Sequence, residues 1–330
     1  MNNIISTEEM VNEYLRSRRV SLKPYSYSII SNMISKHFLK IFKNSNLNEL
    51  KPRDINNYYL NIAESDLKPK TKNNIISTIM VLIEWLDIME YIDTSISRKF
   101  KQIFKMLPLN ESPKSDYLSI DEIKKLISSI DINDLESKRE KLMIELLSFS
   151  GLRKSELRAL SFSDIDYKKC TILINKQLQT IDSNGKIEDV LVKYTKTNKD
   201  RMVNIPKWLI NDIKQYNKDY LLYIKEKKEE YNNLIFPYKV VRINRILNKH
   251  LKNANLKHIK VHDLRHSYCT MLYENGADSK FVQKQLGHSS DRTSRDIYEH
   301  LTNKMEEKGI RIVNKLWLIT KISADKGCKK

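Results

Sequence analysis

The sequence predicts a mainly α chain with a small three-stranded antiparallel β-sheet, an α+β protein in two domains. Three observations carry that expectation. Apolar residues recur at three- and four-residue spacing over most of the chain. Only Thr171–Ile174, Val190–Val192 and Met202–Ile205 read as strands, with turn signals between them. The segment Pro108-Leu-Asn-Glu-Ser-Pro-Lys-Ser-Asp116 breaks both patterns and reads as a linker. The expected boundaries are a helical domain at 1–107, the linker at 108–116, a second domain at 117–301 and a tail at 302–330. A length of 330 residues lets each domain bury a core.

In the first domain, Ser6-Thr7-Glu8-Glu9 has the spacing of a helix capping box, and Met10, Val11, Tyr14 and Leu15 continue an apolar stripe. A second helix follows Pro24 and turns Ile29, Ile30, Met33, Ile34, Phe38 and Ile41 inward. A third starts near Pro52, a residue suited to a first turn. A fourth runs from about Thr71 to Met89 along Ile75, Ile76, Ile79, Leu82, Ile83 and Leu86. The expectation is a four-helix domain whose polar faces carry Lys36, Lys40, Lys43, Lys51, Arg53, Lys68, Lys70 and Lys72, either a solvated surface or a DNA contact.

In the second domain, Ser119-Ile-Asp-Glu122 is another capping box, and Glu140–Phe149 is a strongly apolar helix. Only six glycines occur, so Gly151, Gly276 and Gly287 mark backbone positions of special geometry. Gly151 ends one helix, and Ser155 or its neighbour starts the next. Arg153 in that corner can point outward while the leucines point in. Asp182-Ser-Asn-Gly185 and Tyr194–Asp200 are turns between strands, the second carrying Lys196 and Lys199. Pro206 opens a helix with Trp208, Leu209 and Ile213, and Val240–Leu251 is a basic helix that could face DNA. Ser279–Leu286 is a short helix stopped at Gly287-His288, and Thr293–Leu301 carries Tyr298. The tail holds Ile310, Ile312, Val313, Leu316, Trp317 and Leu318.

Composition narrows the function. The formal net charge of +18 favours an anionic polymer as partner, with nucleic acid first; a merely Lys-rich chain from an AT-rich genome is the bland alternative. No run of 18 apolar residues and no signal-peptide pattern is present, so the expectation is a cytoplasmic protein without membrane attachment. The three cysteines have no paired spacing and suggest neither a disulfide framework nor a metal site.

The chemistry gathers in Val261-His-Asp-Leu-Arg-His266. His262 and Arg265 are three apart, on one face of a helix that ends at Gly276. An imidazole that trades protons near neutral pH, beside a planar fork of donors, makes a site for a phosphate. His266 follows His262 by four residues, but a zinc HExxH motif needs Glu where Asp263 stands, so His266 is expected packed and hydrogen-bonded under the site. Glu156 is expected to be structural, holding a basic partner.

Together, Gly151-Leu-Arg153…Glu156-Leu157, Lys196, His262-x-x-Arg265, Leu286-Gly287-His288 and Tyr298-Glu-His-Leu301 resemble the tyrosine recombinase (phage integrase) family, over about residues 115–301. The preceding helices look like its core-binding domain. The resemblance implies that Tyr298 is a nucleophile forming a 3′-phosphotyrosyl bond. Arg153 and Arg265 would clamp the non-bridging oxygens, and Lys196 would protonate the departing 5′-oxygen. Lys196 is preferred over Lys199 from its place in Thr-Lys-Thr-Asn-Lys-Asp-Arg. His262 would be acid or base towards Tyr298, and His288 would hydrogen-bond the phosphate. The covalent bond preserves the bond energy, so no cofactor and no metal are implied.

The implied partners are double-stranded DNA with inverted core recombination sites, a homotetramer on two sites, and an accessory DNA-bending or directionality factor. The helical domain begins almost at Met1, which leaves no room for an arm-site domain and favours an Xer-like enzyme. Asp291-Arg292 and Arg295-Asp296 make the stretch between His288 and Tyr298 unusually charged, with a phosphate contact by Arg292 as the one role it suggests. The rivals are a topoisomerase-like nicking-resealing enzyme and a catalytically silent DNA-binding regulator.

Overall fold

The computed structural model describes residues 5–109, 116–183, 186–193 and 200–287. The chain divides into two compact units: Met1–Pro113 with Thr180–Val190, and Lys114–Gln179 with Leu191–Lys330. No helix among the described residues is long and apolar enough to cross a membrane.

The first unit is built from α1 (Thr7–Ser21), α2 (Pro24–Met33), α3 (Lys40–Phe42), α4 (Pro52–Ala63), α5 (Pro69–Ile88) and α6 (Thr94–Ile103). The capping box forms: Ser6 Oγ accepts the Glu9 N–H at 3.2 Å, and the Glu9 carboxylate accepts the Ser6 N–H at 2.8 Å. Proline opens α2, α4 and α5, where its missing N–H costs nothing. Helices α2 and α3 join through a π-helical stretch, Ile34–Leu39. Bonding i to i+5 winds the chain more slowly, so a face repeats nearer every fourth residue. Ile34, Phe38 and Phe42 therefore share the core, and the expected Ile41 is turned out, 48% exposed. The α6 helix adds to the four helices expected. Its buried face is Ile96, Ser97 and Phe100, with Ile103 and Phe104 continuing the apolar stripe at its end.

The second unit contains α7 (Ile120–Ser128), α8 (Leu135–Ser150), α9 (Lys154–Arg158), β1 (Ile165–Asp166), β2 (Thr171–Ile174) and β5 (Arg201–Asn204). It continues with α10 (Lys207–Lys227), α11 (Val240–Asn253), α12 (Val261–Glu274) and α13 (Ser279–Leu286). Helix α8 is the centre: Leu142, Met143, Ile144, Leu146 and Leu147 are all buried, and it packs on α10 and α12. An apolar surface on all sides is what a helix enclosed by neighbours requires. Glu140 of α8 binds His250 Nε2 of α11 at 2.7 Å in the interior.

The sheet differs from expectation in membership. It has three antiparallel strands in the order β1-β2-β5, with Ile172 opposite Val203 and Ile174 opposite Arg201. Val190–Val192 belongs to a separate two-stranded sheet of β3 (Gln177–Ser183) and β4 (Lys186–Val192). At β5, Gln285 does the work of a further strand: its Oε1 accepts the Asn204 N–H at 3.0 Å and its Nε2 donates to the Asn204 carbonyl at 2.5 Å. A side-chain amide presents the same donor and acceptor as a peptide group, and so pairs the outer edge of β5 at Asn204.

Gly151, Gly276 and Gly287 all have positive φ. Gly151 caps α8 in the left-handed conformation at φ 65°, and a Cβ there would lie 2.3 Å from Leu286 Cδ2 and 2.8 Å from Tyr268 Cδ1. Left-handed strain of roughly 1–2 kcal/mol adds to overpacking of roughly 1–3 kcal/mol, so Gly151→Ala should cost on the order of 2–5 kcal/mol. Gly276→Ala, which meets nothing within 4 Å, should cost only the strain. Denaturant midpoints would measure both, and equal losses would contradict this packing.

Candidate active site

The site is assembled at two helix ends that meet. Helix α8 stops at Gly151, and α13 stops at Gly287, whose φ is 67°. Terminal carbonyls of a helix lack intrahelical donors, and here guanidinium groups supply them. Arg265 of α12 donates through Nη1 to the Gly151 carbonyl (2.5 Å) and through Nη2 to the Leu286 carbonyl (2.7 Å). Arg153, between Gly151 and α9, donates through Nη2 to the Gly287 carbonyl at 2.8 Å. Two arginines 112 residues apart in sequence (265 − 153) thus flank one corner, immediately before His288.

Arg153 is held from its other side by Glu156. Glu156 Oε2 accepts the Arg153 backbone N–H at 2.8 Å, and Oε1 accepts Arg153 Nη1 at 2.9 Å. Arg201, the first residue of β5, forks onto the same carboxylate, Nη1 to Oε1 at 2.8 Å and Nη2 to Oε2 at 2.7 Å. The Glu156 side chain is only 1% exposed and that of Arg201 8%, whereas Arg153 is 16% exposed. Burial alone would raise the Glu156 carboxyl; the hydrogen bonds and charge of Arg201, then Arg153, overcome it and bring it down to about 2. Arg265 is pushed the other way, to about 9, first by burial and then by the charge of Arg153. An anion seated between the two guanidinium groups would offset that repulsion.

His262 is exposed, whereas Arg265 one turn along the same helix is buried. Its ring meets that of His266 edge to face, centroids 4.8 Å apart. It lines a cleft of about 400 Å³ with Lys154, Asn244, Asn248, His258 and Lys260. His266 is packed as expected, and burial lowers its pKa, but its Nδ1 has no hydrogen-bond partner among the described residues. Helical spacing places His262 and Arg265 on neighbouring positions; the packing of α12 buries one and leaves the other in solvent.

Of the six expected site residues, Arg153 and Arg265 are brought together and His262 lies on the same helix as Arg265. Lys196, His288 and Tyr298 lie outside the described residues. Sequence reading passed over Arg201 and Gln285. Glu156 was read as the holder of a basic partner, and it holds two. The available signal was a Glu three residues after an Arg, and it does not name a partner 45 residues away.

Because the folded Glu156 titrates below its ordinary 4.5, its ionised form stabilises the protein fully above that pH and loses its contribution as pH falls towards about 2. At about 1.4 kcal/mol per pKa unit the effect is on the order of 3 kcal/mol at neutral pH. Glu156→Gln should therefore lower the thermal midpoint at pH 7, and the gap from wild type should narrow between pH 4.5 and pH 3. A gap independent of pH would contradict the ionic role.

The profile of the Phage integrase family matches residues 116–305, and that of the phage integrase N-terminal SAM-like domain matches residues 7–63. The chain is 28% identical to the ICEBs1 integrase of Bacillus subtilis over 319 residues, covering 92% of this chain and 81% of that protein. It is 33% identical to the tyrosine recombinase XerD of Rickettsia bellii over 275 residues, covering 77% and 81% respectively. Among solved structures, the Tn1549 transposon integrase in complex with a circular intermediate DNA has the same fold. Its TM-score is 0.69 at 18% identity, over 93% of this chain and 99% of that one.

Proposed function

The chain belongs to the phage integrase family of tyrosine recombinases, and from that premise we propose that it is a site-specific DNA recombinase working through a 3′-phosphotyrosyl intermediate. The observation that carries the reading is the convergence of Arg153 and Arg265 on the Leu286–Gly287 corner. Two fixed guanidinium groups beside one another suit a single phosphodiester, whose non-bridging oxygens gain charge in the transition state.

In this reading the Tyr298 oxygen attacks the scissile phosphorus, and the bond to the 5′-oxygen breaks. The tyrosine proton passes to His262 acting as base, and Lys196 gives a proton to the departing 5′-oxygen. His288 hydrogen-bonds the phosphate. Attack by the 5′-hydroxyl of a second duplex reverses the step and exchanges strands through a Holliday junction. Bond energy is kept in the phosphotyrosine, so the chemistry requires no external energy source. The +18 net charge supports duplex DNA as the partner. We assign four protomers to two inverted core sites, with a DNA-bending or directionality factor as an accessory.

The tail at 302–318 carries Ile310, Ile312, Val313, Leu316, Trp317 and Leu318. Each large apolar side chain gains about 1.5–3 kcal/mol on full burial. We assign the tail to a cyclic contact with the neighbouring protomer, a heterologous interface that closes at four.

Tyr298→Phe should bind DNA normally and form no covalent adduct on a nicked suicide substrate. An undiminished adduct would remove the assignment of the nucleophile, and no adduct from the unaltered chain would favour the silent regulator. Truncation after Asn303 should leave binding to one site intact while slowing recombination between two sites. Recombination at the full rate would reject docking in trans, and adduct without any two-site recombination by the full chain would favour a topoisomerase-like enzyme.

A further inference from the structure

We propose that Arg201 is a positioning residue for strand cleavage: through Glu156 it fixes the guanidinium of Arg153 against the Gly287 carbonyl. The proposal rests on the reading of Arg153 as a phosphate clamp.

Arg201 is placed by backbone before its side chain makes any contact. It begins β5, opposite Ile174 in the β2–β5 ladder, and Gln285 secures the same strand at Asn204. From there the side chain lies along Gly287. A Cβ on Gly287 would be 2.8 Å from Arg201 Cδ and 3.0 Å from Nε, so glycine at that position lets the arginine pass. Nε points to the Gln285 carbonyl at 3.4 Å, and the two terminal nitrogens take both oxygens of Glu156. Arg153 binds those same two oxygens, through its backbone N–H and Nη1.

The carboxylate is therefore a hinge pin between a guanidinium with almost no exposure and one that is partly open to solvent. Arg201 spends its terminal donors on Glu156 and acts through it. Removing Arg201 leaves a buried carboxylate with one cation instead of two, held among the described residues by Arg153 alone, so the group that Arg153 follows has no anchor independent of Arg153. Lysine would keep the charge but offers no second parallel donor, so it cannot hold both oxygens.

The alternative is that Arg201 only stabilises the fold. The two roles separate on paired DNA substrates. One carries an ordinary scissile phosphodiester. In the other a methyl group replaces one non-bridging oxygen, which removes the phosphate charge that Arg153 must meet. Arg201→Lys would be assayed for covalent adduct in single turnover on both, from one preparation, so that the ratio of rates is independent of the fraction folded. The expected result is a loss of up to ~10²-fold on the phosphodiester, the scale of a small misplacement of a catalytic group, and a much smaller loss on the methylphosphonate. Equal losses on the two substrates, or no loss on either, would overturn the proposal. Arg153→Ala run in parallel must show the same selectivity. If it does not while the unaltered chain cleaves, the clamp reading itself has failed, and the proposal with it. Should Arg201→Lys not fold, Arg201→Gln, which keeps one amide donor for Glu156 and leaves the Glu156–Arg153 contact in place, is expected to give the same selective loss.

Discussion

The Glu156 carboxylate, enclosed between Arg153 and Arg201, is the constraint on which the rest of the site depends. Taking three charges out of water costs several kcal/mol per ion before any attraction is counted. A cluster of apolar side chains of the same volume would hold the fold as well. What such a cluster could not do is orient a guanidinium. The fork of Arg201 sets the carboxylate plane, and the carboxylate sets Arg153. The arrangement is better explained by geometry than by stability.

Its charges do not balance. Among the described residues, the charges of Arg153 and Arg201 both act against that of Arg265, and the Glu156 carboxylate acts for it. The backbone answers part of the excess with the carbonyls of Gly151, Leu286 and Gly287, dipoles that a helix end offers in any case. Each guanidinium has five N–H donors; the bonds described use two on Arg153 and two on Arg265. Among the described residues the corner is therefore positive, with its cations held by carbonyls and one carboxylate.

The outline of this fold was legible because apolar periodicity reports which face of a helix is buried, and capping boxes and glycines report where helices end. Ser6–Glu9, Ser119–Glu122 and Gly151 were readable for that reason. Ile41 was misplaced because a π-helical stretch changes the period, and the sequence carries no mark of the change. Val190–Val192 was put in the wrong sheet because strand propensity says nothing of the partner, and the position beside β5 is filled by Gln285. In the site, Arg153 and Arg265 stood out through their motifs. Arg201 did not: its role arises only when β5 and α9 are packed side by side, a relation between two segments with no local signal in either.

The two glycines explain why the motifs have the form they do. Gly151 must be small because Leu286 and Tyr268 close over it, and Gly287 because Arg201 crosses it. Each also ends a helix in the left-handed conformation, which aims the last carbonyls at the arginines instead of along the helix axis. A larger residue at position 151 would press Leu286 of α13 away, and one at position 287 would displace the Arg201 side chain. The spacing between the arginines is therefore set by how closely two helix termini can approach. That distance is a packing property of the core, and the core is stiff because it is close-packed. Charges held in place in this way need no reorganisation when they meet an opposite charge.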